Sequence, residues 1–167
     1  MSFKEVGIDL IKMNPFTLIG DEWMLITAGD KEKCNTMTAS WGGVGVIWNK
    51  NVVTIYVRPS RYTKEFIDKE NMFTVSFFDQ QYKKALGICG SKSGRDCNKI
   101  EEAGLTVGYD ENVPYLNEAK LVLVCKKLYH DVIKPDNFKE KWINDSYPNE
   151  DYHIMYIGEI IKVLDKE

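Results

Sequence analysis

The chain is poor in the residues that do most enzyme chemistry. It has two histidines and four cysteines in 167 residues. The cysteines, Cys34, Cys89, Cys97 and Cys125, form no C-x-x-C pair, so the ligand spacing of a zinc site is missing and no metal is expected. They read as reduced thiols that mostly serve packing. There is no G-x-x-x-x-G-K-[ST] loop and no G-x-G-x-x-G after a strand, so a nucleotide would not be held in P-loop or Rossmann fashion. No G-x-S-x-G serine stands ready for His130 or His153 to activate. Cys89 and Cys97 flank a cationic loop that would favour a thiolate, but no histidine lies nearby in sequence. Asp79, Asp96, Glu101 and Glu102 read as caps and surface carboxylates. No catalytic acid, base or nucleophile is assigned.

Long apolar runs are also missing. None approaches the roughly 20 residues that span a bilayer, so no membrane partner is expected. The start, Met1-Ser2-Phe3-Lys4-Glu5, has no signal-peptide pattern, and a cytoplasmic location is the expectation. Positive charge is not in excess: the net charge is -3 and the pI about 5.5, which argues against nucleic acid as a partner. Hydrophobic residues at 44% and charged residues at 28% give a soluble globular balance. No repeat or Ser/Gly/Pro-rich linker divides residues 1–167, which read as one domain.

Strand signals dominate. Apolar or β-branched runs at 23–28, 52–57, 72–78, 121–128 and 153–163 predict strands. At 36–41 the hydroxyls of Thr36, Thr38 and Ser40 alternate with Met37, Ala39 and Trp41, which puts them on opposite faces of a further strand. Short helices are predicted at 62–69, at 80–88 with Asp79 as N-cap, at 98–103 capped by Asp96 or Cys97 and stopped by Gly104, and at 138–143. Six to eight strands with small helical insertions suit a β-barrel rather than alternating βαβ units.

What the chain does have is three polar clusters between Asn35 and Lys99. Asn35-Thr36-Met37-Thr38-Ala39-Ser40-Trp41-Gly42-Gly43 ends a hydroxyl-rich strand on paired glycines, where a bulge or a close ligand approach suits glycine. Trp41 suits either a ligand ring or the core. Arg58-Pro59-Ser60-Arg61-Tyr62-Thr63 stands where a strand gives way to a helix, whose free N–H groups, with nearby hydroxyls and cations, make a competent phosphate cradle. A capped helix with solvated basic residues fits the same letters. Gly90-Ser91-Lys92-Ser93-Gly94-Arg95-Asp96, followed by Lys99, can approach a ligand closely or form a solvent loop. Together the clusters suit a phosphate carrying a flat, partly polar ring.

In order, Asn35-x-Met37-Thr38-x-Ser40-Trp41-Gly42, Arg58-x-Ser60-x-Tyr62-Thr63, Cys89-Gly90-x-x-Ser93-Gly94-Arg95-Asp96-x-x-Lys99 and His153-x-x-x-x-Gly158-Glu159 resemble the flavin reductase-like, FMN-binding split-barrel family, flavoredoxin type. The resemblance covers about residues 10–165. It implies a mostly β fold with short helices, a six-stranded Greek-key split barrel, and a homodimer with FMN near the subunit interface. It assigns Asn35, Thr38, Ala39, Ser40 and Trp41 to the flavin ring. Arg58, Ser60, Thr63, Arg95 and Lys99 go to the phosphate, and Tyr62 and His153 complete the cofactor-binding set. The implied activity is an oxidoreductase that takes hydride from NAD(P)H and passes electrons to free flavin or another acceptor. The alternative is an electron-transfer flavoprotein that exchanges electrons with a partner protein and oxidises little NAD(P)H itself.

Overall fold

Alternation along one strand sets the sheet's inner and outer faces. Val53, Ile55 and Val57 are fully buried, while Thr54, Tyr56 and Arg58 between them remain partly exposed. They lie on β5 (Lys50–Val57) or just past its end in the computed structural model, which describes residues 2–166. The other strands are β1 (Phe3–Val6), β2 (Met24–Gly29), β3 (Cys34–Ala39), β4 (Gly42–Ile47), β6 (Met72–Phe77), β7 (Val107–Asp110), β8 (Val113–Leu116), β9 (Leu121–Val132) and β10 (Ile154–Lys166). Four short helices intervene: α1 (Pro15–Gly20), α2 (Thr63–Lys69), α3 (Lys83–Ser91) and α4 (Lys99–Glu102).

Eight strands form one sheet in the order β3-β2-β6-β9-β10-β5-β4, with β1 added to β10. Every pairing is antiparallel, and β7 and β8 form a separate hairpin. The long β10 serves two neighbours on one side, β5 along its first half and β1 along its second. Register shifts between Ile157 and Gly158 and between Ile160 and Lys162 let it bend between them. Glycine is required at the first shift. A Cβ on Gly158 would lie 2.6 Å from Cζ of Phe73, a fully buried ring. The core under this sheet is made of Met24, Ile26, Ile55, Phe73, Phe77, Leu123 and Tyr156 among others, each worth roughly 1.5–3 kcal/mol when fully buried.

The mostly β class with short helices is as expected, but the main sheet has eight strands rather than six. The extra ones are β1 and β4. Gly42-Gly43, expected as a bulge, instead begins the β4 strand, which pairs with β5 through Ile47↔Lys50. Other local expectations are also corrected. The 80–88 helix is a 3-10 turn at Gln80–Tyr82 followed by α3, and the Asp79 side chain makes no cap bond. Asn98, not Asp96 or Cys97, caps α4: its Oδ1 accepts from the Glu101 N–H at 3.4 Å. Gly104, at φ +70°, ends that helix as expected. Residues 138–143 form no α-helix; a 3-10 turn at Lys141–Ser146 lies there instead. Among the described residues no helix is long and apolar enough to cross a membrane.

Candidate functional site

Three structural devices meet where β3 turns into β4. The first is the end of β3 itself. Thr38 donates through Oγ1 to the carbonyl of Leu86 at 2.5 Å, which fastens α3 beside the strand. The second is the turn after β5. The Arg61 N–H bonds the Arg58 carbonyl at 3.1 Å, and the Lys64 N–H bonds the Arg61 carbonyl at 3.1 Å, so the chain enters α2 with its basic side chains fanned around the turn. The third is the segment from 133 to 153, a strap of two 3-10 turns whose ends are tied by the Ile133 N–H to the His153 carbonyl at 2.9 Å.

Arg58 holds the strap down. Its guanidinium bonds Asp151 Oδ1 at 2.8 Å and the Ser146 carbonyl at 2.8 Å, and lies over the Tyr147 ring at 5.1 Å. On the strap, Tyr147 shares a 2.7 Å hydrogen bond with Nδ1 of His153. His153 also lies 5.2 Å from the Trp41 ring. Burial, with the charge of Arg58 adding to it, lowers the His153 imidazole to a pKa of about 4, so the ring is neutral at physiological pH. Tyr147 moves the other way, raised by burial, and keeps its proton.

Beside this lie two cations without a carboxylate partner among the described residues. Arg61 donates through Nη1 to the Gly90 carbonyl at 2.9 Å. Lys99, only 3% exposed, donates to the carbonyls of Cys89 at 2.8 Å and Lys92 at 3.1 Å. These carbonyls belong to the C-terminal end of α3 or lie just past it, where the helix dipole favours positive charge. Burial lowers the pKa of both groups, with Arg58 adding to the effect at Arg61 and Arg61 at Lys99. Arg58 and Arg95, by contrast, have Asp151 and Glu65 as ion-pair partners. Among the described residues the ion pairs include neither Arg61 nor Lys99. Lys99 has used two of its three donors and Arg61 one of its five. A buried cation without a counter-charge is costly, and an anionic ligand would relieve that cost. The residues present therefore fit a phosphate.

The residues named from sequence fall around two open spaces. A small cavity of about 160 Å³ is lined by Thr38, Ala39, Ser40, Trp41, Arg58 and His153, together with Met37, Tyr56 and Arg61. Asn35, Tyr62, Arg95 and Lys99 line a second cavity of about 660 Å³. Asn35 and Thr63 are buried against each other, Asn35 Nδ2 donating to Thr63 Oγ1 at 2.9 Å. Gly94 lies directly over Asn35, where a Cβ would come within 2.1 Å of Oδ1. Ser60 is exposed, and its carbonyl accepts from Arg95 at 3.3 Å. Arg95 covers the Tyr62 ring at 4.7 Å. Arg61 joins the two groups, since it lines the first cavity and bonds Gly90 beside the second cluster.

Several lining residues were not singled out from sequence. Tyr56 is two residues before Arg58 on β5 and shares its face, a period-two signal that would have found it. Phe16, Phe138, Ile143 and Tyr147 line a third cavity of about 620 Å³, which shares Ser40, Trp41, Tyr56 and His153 with the small one. Nothing local marks those four, because α1 and the strap bring them together only in the folded chain.

This geometry can be set beside known proteins. An uncharacterized protein of Archaeoglobus fulgidus is 28% identical over 141 residues, covering 83% of this chain and 69% of its own. Flavoredoxin from Methanosarcina acetivorans superposes with a TM-score of 0.68 at 26% identity, covering 87% of this chain and 69% of its own. An FMN-binding domain of a flavin reductases-like enzyme from Shewanella baltica superposes with a TM-score of 0.70 at 19% identity, covering 98% of this chain and 77% of its own. The model of the flavin reductase like domain family matches residues 18–167, and the chain belongs to that family, with the split-barrel fold.

Proposed function

We propose that the protein is an FMN-binding oxidoreductase that takes hydride from NAD(P)H and passes electrons to free flavin or another acceptor. The observation that carries the reading is the buried Lys99 and the half-buried Arg61, neither with a carboxylate partner among the described residues, Arg61 lying beside a strand end and an aromatic face. Membership of the flavin reductase like domain family and the FMN-binding solved relative support it. When bound, FMN supplies the redox chemistry; the protein orients and tunes it.

The division of labour among residues follows from charge. A phosphate monoester carries nearly two negative charges at neutral pH. Lys99, Arg61 and Arg95 would supply charge-assisted hydrogen bonds to it, each worth roughly 1.5–3 kcal/mol. Thr63 and Asn35 fix the floor beneath them through their mutual bond. The strand end Thr38 to Trp41, with Tyr56, would hold the ring. Neutral His153 keeps a second positive charge away from the Arg58 side of that space and gives Tyr147 a fixed partner. The homodimer is part of the same proposal, with the cofactor edge covered by a second copy.

A second reading, an electron carrier of the flavoredoxin type, is favoured by the relative from Methanosarcina acetivorans. An absorbance spectrum tests the common part: purified protein that is colourless and takes up no added FMN refutes both. Anaerobic mixing with NADH and then NADPH separates them. Rapid bleaching of the flavin band supports the reductase, and a stable band supports the carrier.

A further inference from the structure

We propose that Glu65 sets how tightly the phosphate end of the cofactor is held, by competing with it for Arg95, so that FMN stays exchangeable rather than locked in place. The proposal rests on the flavin reading above and extends it from the groups that bind the phosphate to the group that limits their grip.

Arg95 stands on the turn that follows α3. The Asp96 N–H bonds the Ser93 carbonyl at 3.1 Å, and the Arg95 N–H bonds Ser93 Oγ at 3.2 Å, so the turn is closed on itself. From there the Arg95 side chain reaches the other basic cluster, at the start of α2. Its Nη1 donates to the Ser60 carbonyl at 3.3 Å, its Nη2 donates to the Glu65 carboxylate, and the guanidinium lies over the Tyr62 ring at 4.7 Å. Arg95 and Tyr62 line the 660 Å³ cavity together with the buried Lys99. Glu65 is not among the residues that line it. Glu65 is therefore a positioning residue: it acts on a ligand in that cavity through Arg95.

The cavity wall has no surplus of positive charge. Lys33, Arg95 and Lys99 line it, and so do Glu32, Asp96 and Glu101. A phosphate with nearly two negative charges then depends on what each cation has left to give. Arg95 already has a carboxylate in Glu65. It spends two of its five N–H groups, on Ser60 and Glu65, and keeps three for a ligand. It can serve both anions at once, but Glu65 draws the guanidinium toward α2 and offsets part of its charge. The two side chains are 44% and 61% exposed, and an ion pair this open to water is weak and screened by salt. Glu65 thus loosens the hold on a dianion without preventing it.

The test is a double-mutant cycle on the parent protein, Glu65→Gln, Arg95→Met and the two together, with FMN and riboflavin affinities from titration calorimetry and FMN dissociation from stopped flow. Glu65→Gln is expected to tighten FMN about threefold to tenfold, mostly through slower dissociation, and to leave riboflavin unchanged. The gain is expected to fade at roughly 0.5 M salt. With Arg95→Met in place, Glu65→Gln is expected to change FMN affinity by less than about twofold. Unchanged or weaker FMN binding in Glu65→Gln overturns the proposal. So does a gain of the same size without Arg95, because Glu65 would then repel the phosphate directly. An equal gain for riboflavin overturns it as well, because the effect would not lie at the phosphate. If the parent protein takes no FMN, the flavin reading fails and inorganic phosphate becomes the probe in the same cycle. A gain that requires Arg95 then upholds the competition, and no gain overturns it too.

Discussion

Lys99 and Thr63, both named for the phosphate from sequence, differ in their surroundings. Lys99 is buried with a charged donor to spare, and the Thr63 hydroxyl accepts from Asn35 at 2.9 Å, which makes it the partner of a buried amide. Lys99→Met is expected to weaken FMN binding by roughly tenfold to a hundredfold, the loss of one charge-assisted bond, as read by fluorescence titration. Thr63→Val should act mainly on stability. It leaves the buried Asn35 amide without its best partner, and urea denaturation is expected to show a loss of about 1–3 kcal/mol. His153 supplies a pH dependence of definite sign. Its pKa falls from an ordinary 6.5 to about 4 on folding, chiefly through burial. The unfolded chain therefore binds more protons between those values, and stability rises with pH across that window. The contribution is complete above about pH 6.5 and is lost as pH falls toward 4. His153→Gln is expected to flatten the slope of unfolding midpoint against pH in this range; an unchanged slope would show that the imidazole is not the titrating group.

At the scale of elements, the strap depends on one residue it does not contain. Arg58 makes two hydrogen bonds to it and lies over Tyr147, while the strap's own structure is two 3-10 turns with mostly exposed side chains. Arg58→Ala should release it. Trypsin is then expected to cut after Lys139 or Lys141 faster than in the parent protein, with the sheet itself intact by circular dichroism. The strap also shows where sequence reading stops. The sequence predicts a helix at 138–143, but Phe138, Tyr147 and Tyr152 pack on one another, and Tyr147 on His153, rather than on a helical stripe. The β5 strand was legible because its run from Val52 to Val57 is β-branched and aromatic, the residue types that suit a pleated, half-buried surface. The β4 strand was not, because Gly42-Gly43-Val44-Gly45 has little intrinsic strand preference and is held by pairing with β5. Asn98 was missed as the α4 cap because it reads as the first helical residue, whereas the helix begins one residue later, at Lys99.

For the whole molecule, the order of the polar clusters told more than any one of them. Asn35, Arg58 and Lys99 lie far apart in the chain, and the packing of β3, the β5–α2 turn and α3 brings their neighbourhoods together through the Thr38–Leu86, Asn35–Thr63 and Arg61–Gly90 bonds. The aromatic cavity was not legible, because α1 and the strap are 113 positions or more apart at their ends, 20 to 133, and no local pattern links them. One face of the molecule also carries exposed apolar groups at Val46, Ile47 and Trp48 on the β4–β5 turn, with the Trp48 ring 6.3 Å from Tyr129. That is consistent with the proposed homodimer, and light scattering is expected to give twice the 19.3 kDa chain mass at low micromolar concentration.

The central claim is that the buried Lys99 and the half-buried Arg61 hold a phosphate. Comparing FMN with riboflavin, which lacks only that phosphate, tests it most directly. Affinities measured by titration calorimetry for both ligands should show the parent protein preferring FMN by at least about tenfold. In the Arg61→Met, Lys99→Met double variant the preference should collapse while riboflavin binding stays the same. An equal affinity for the two ligands in the parent protein, or a preference that survives in the double variant, would contradict the claim.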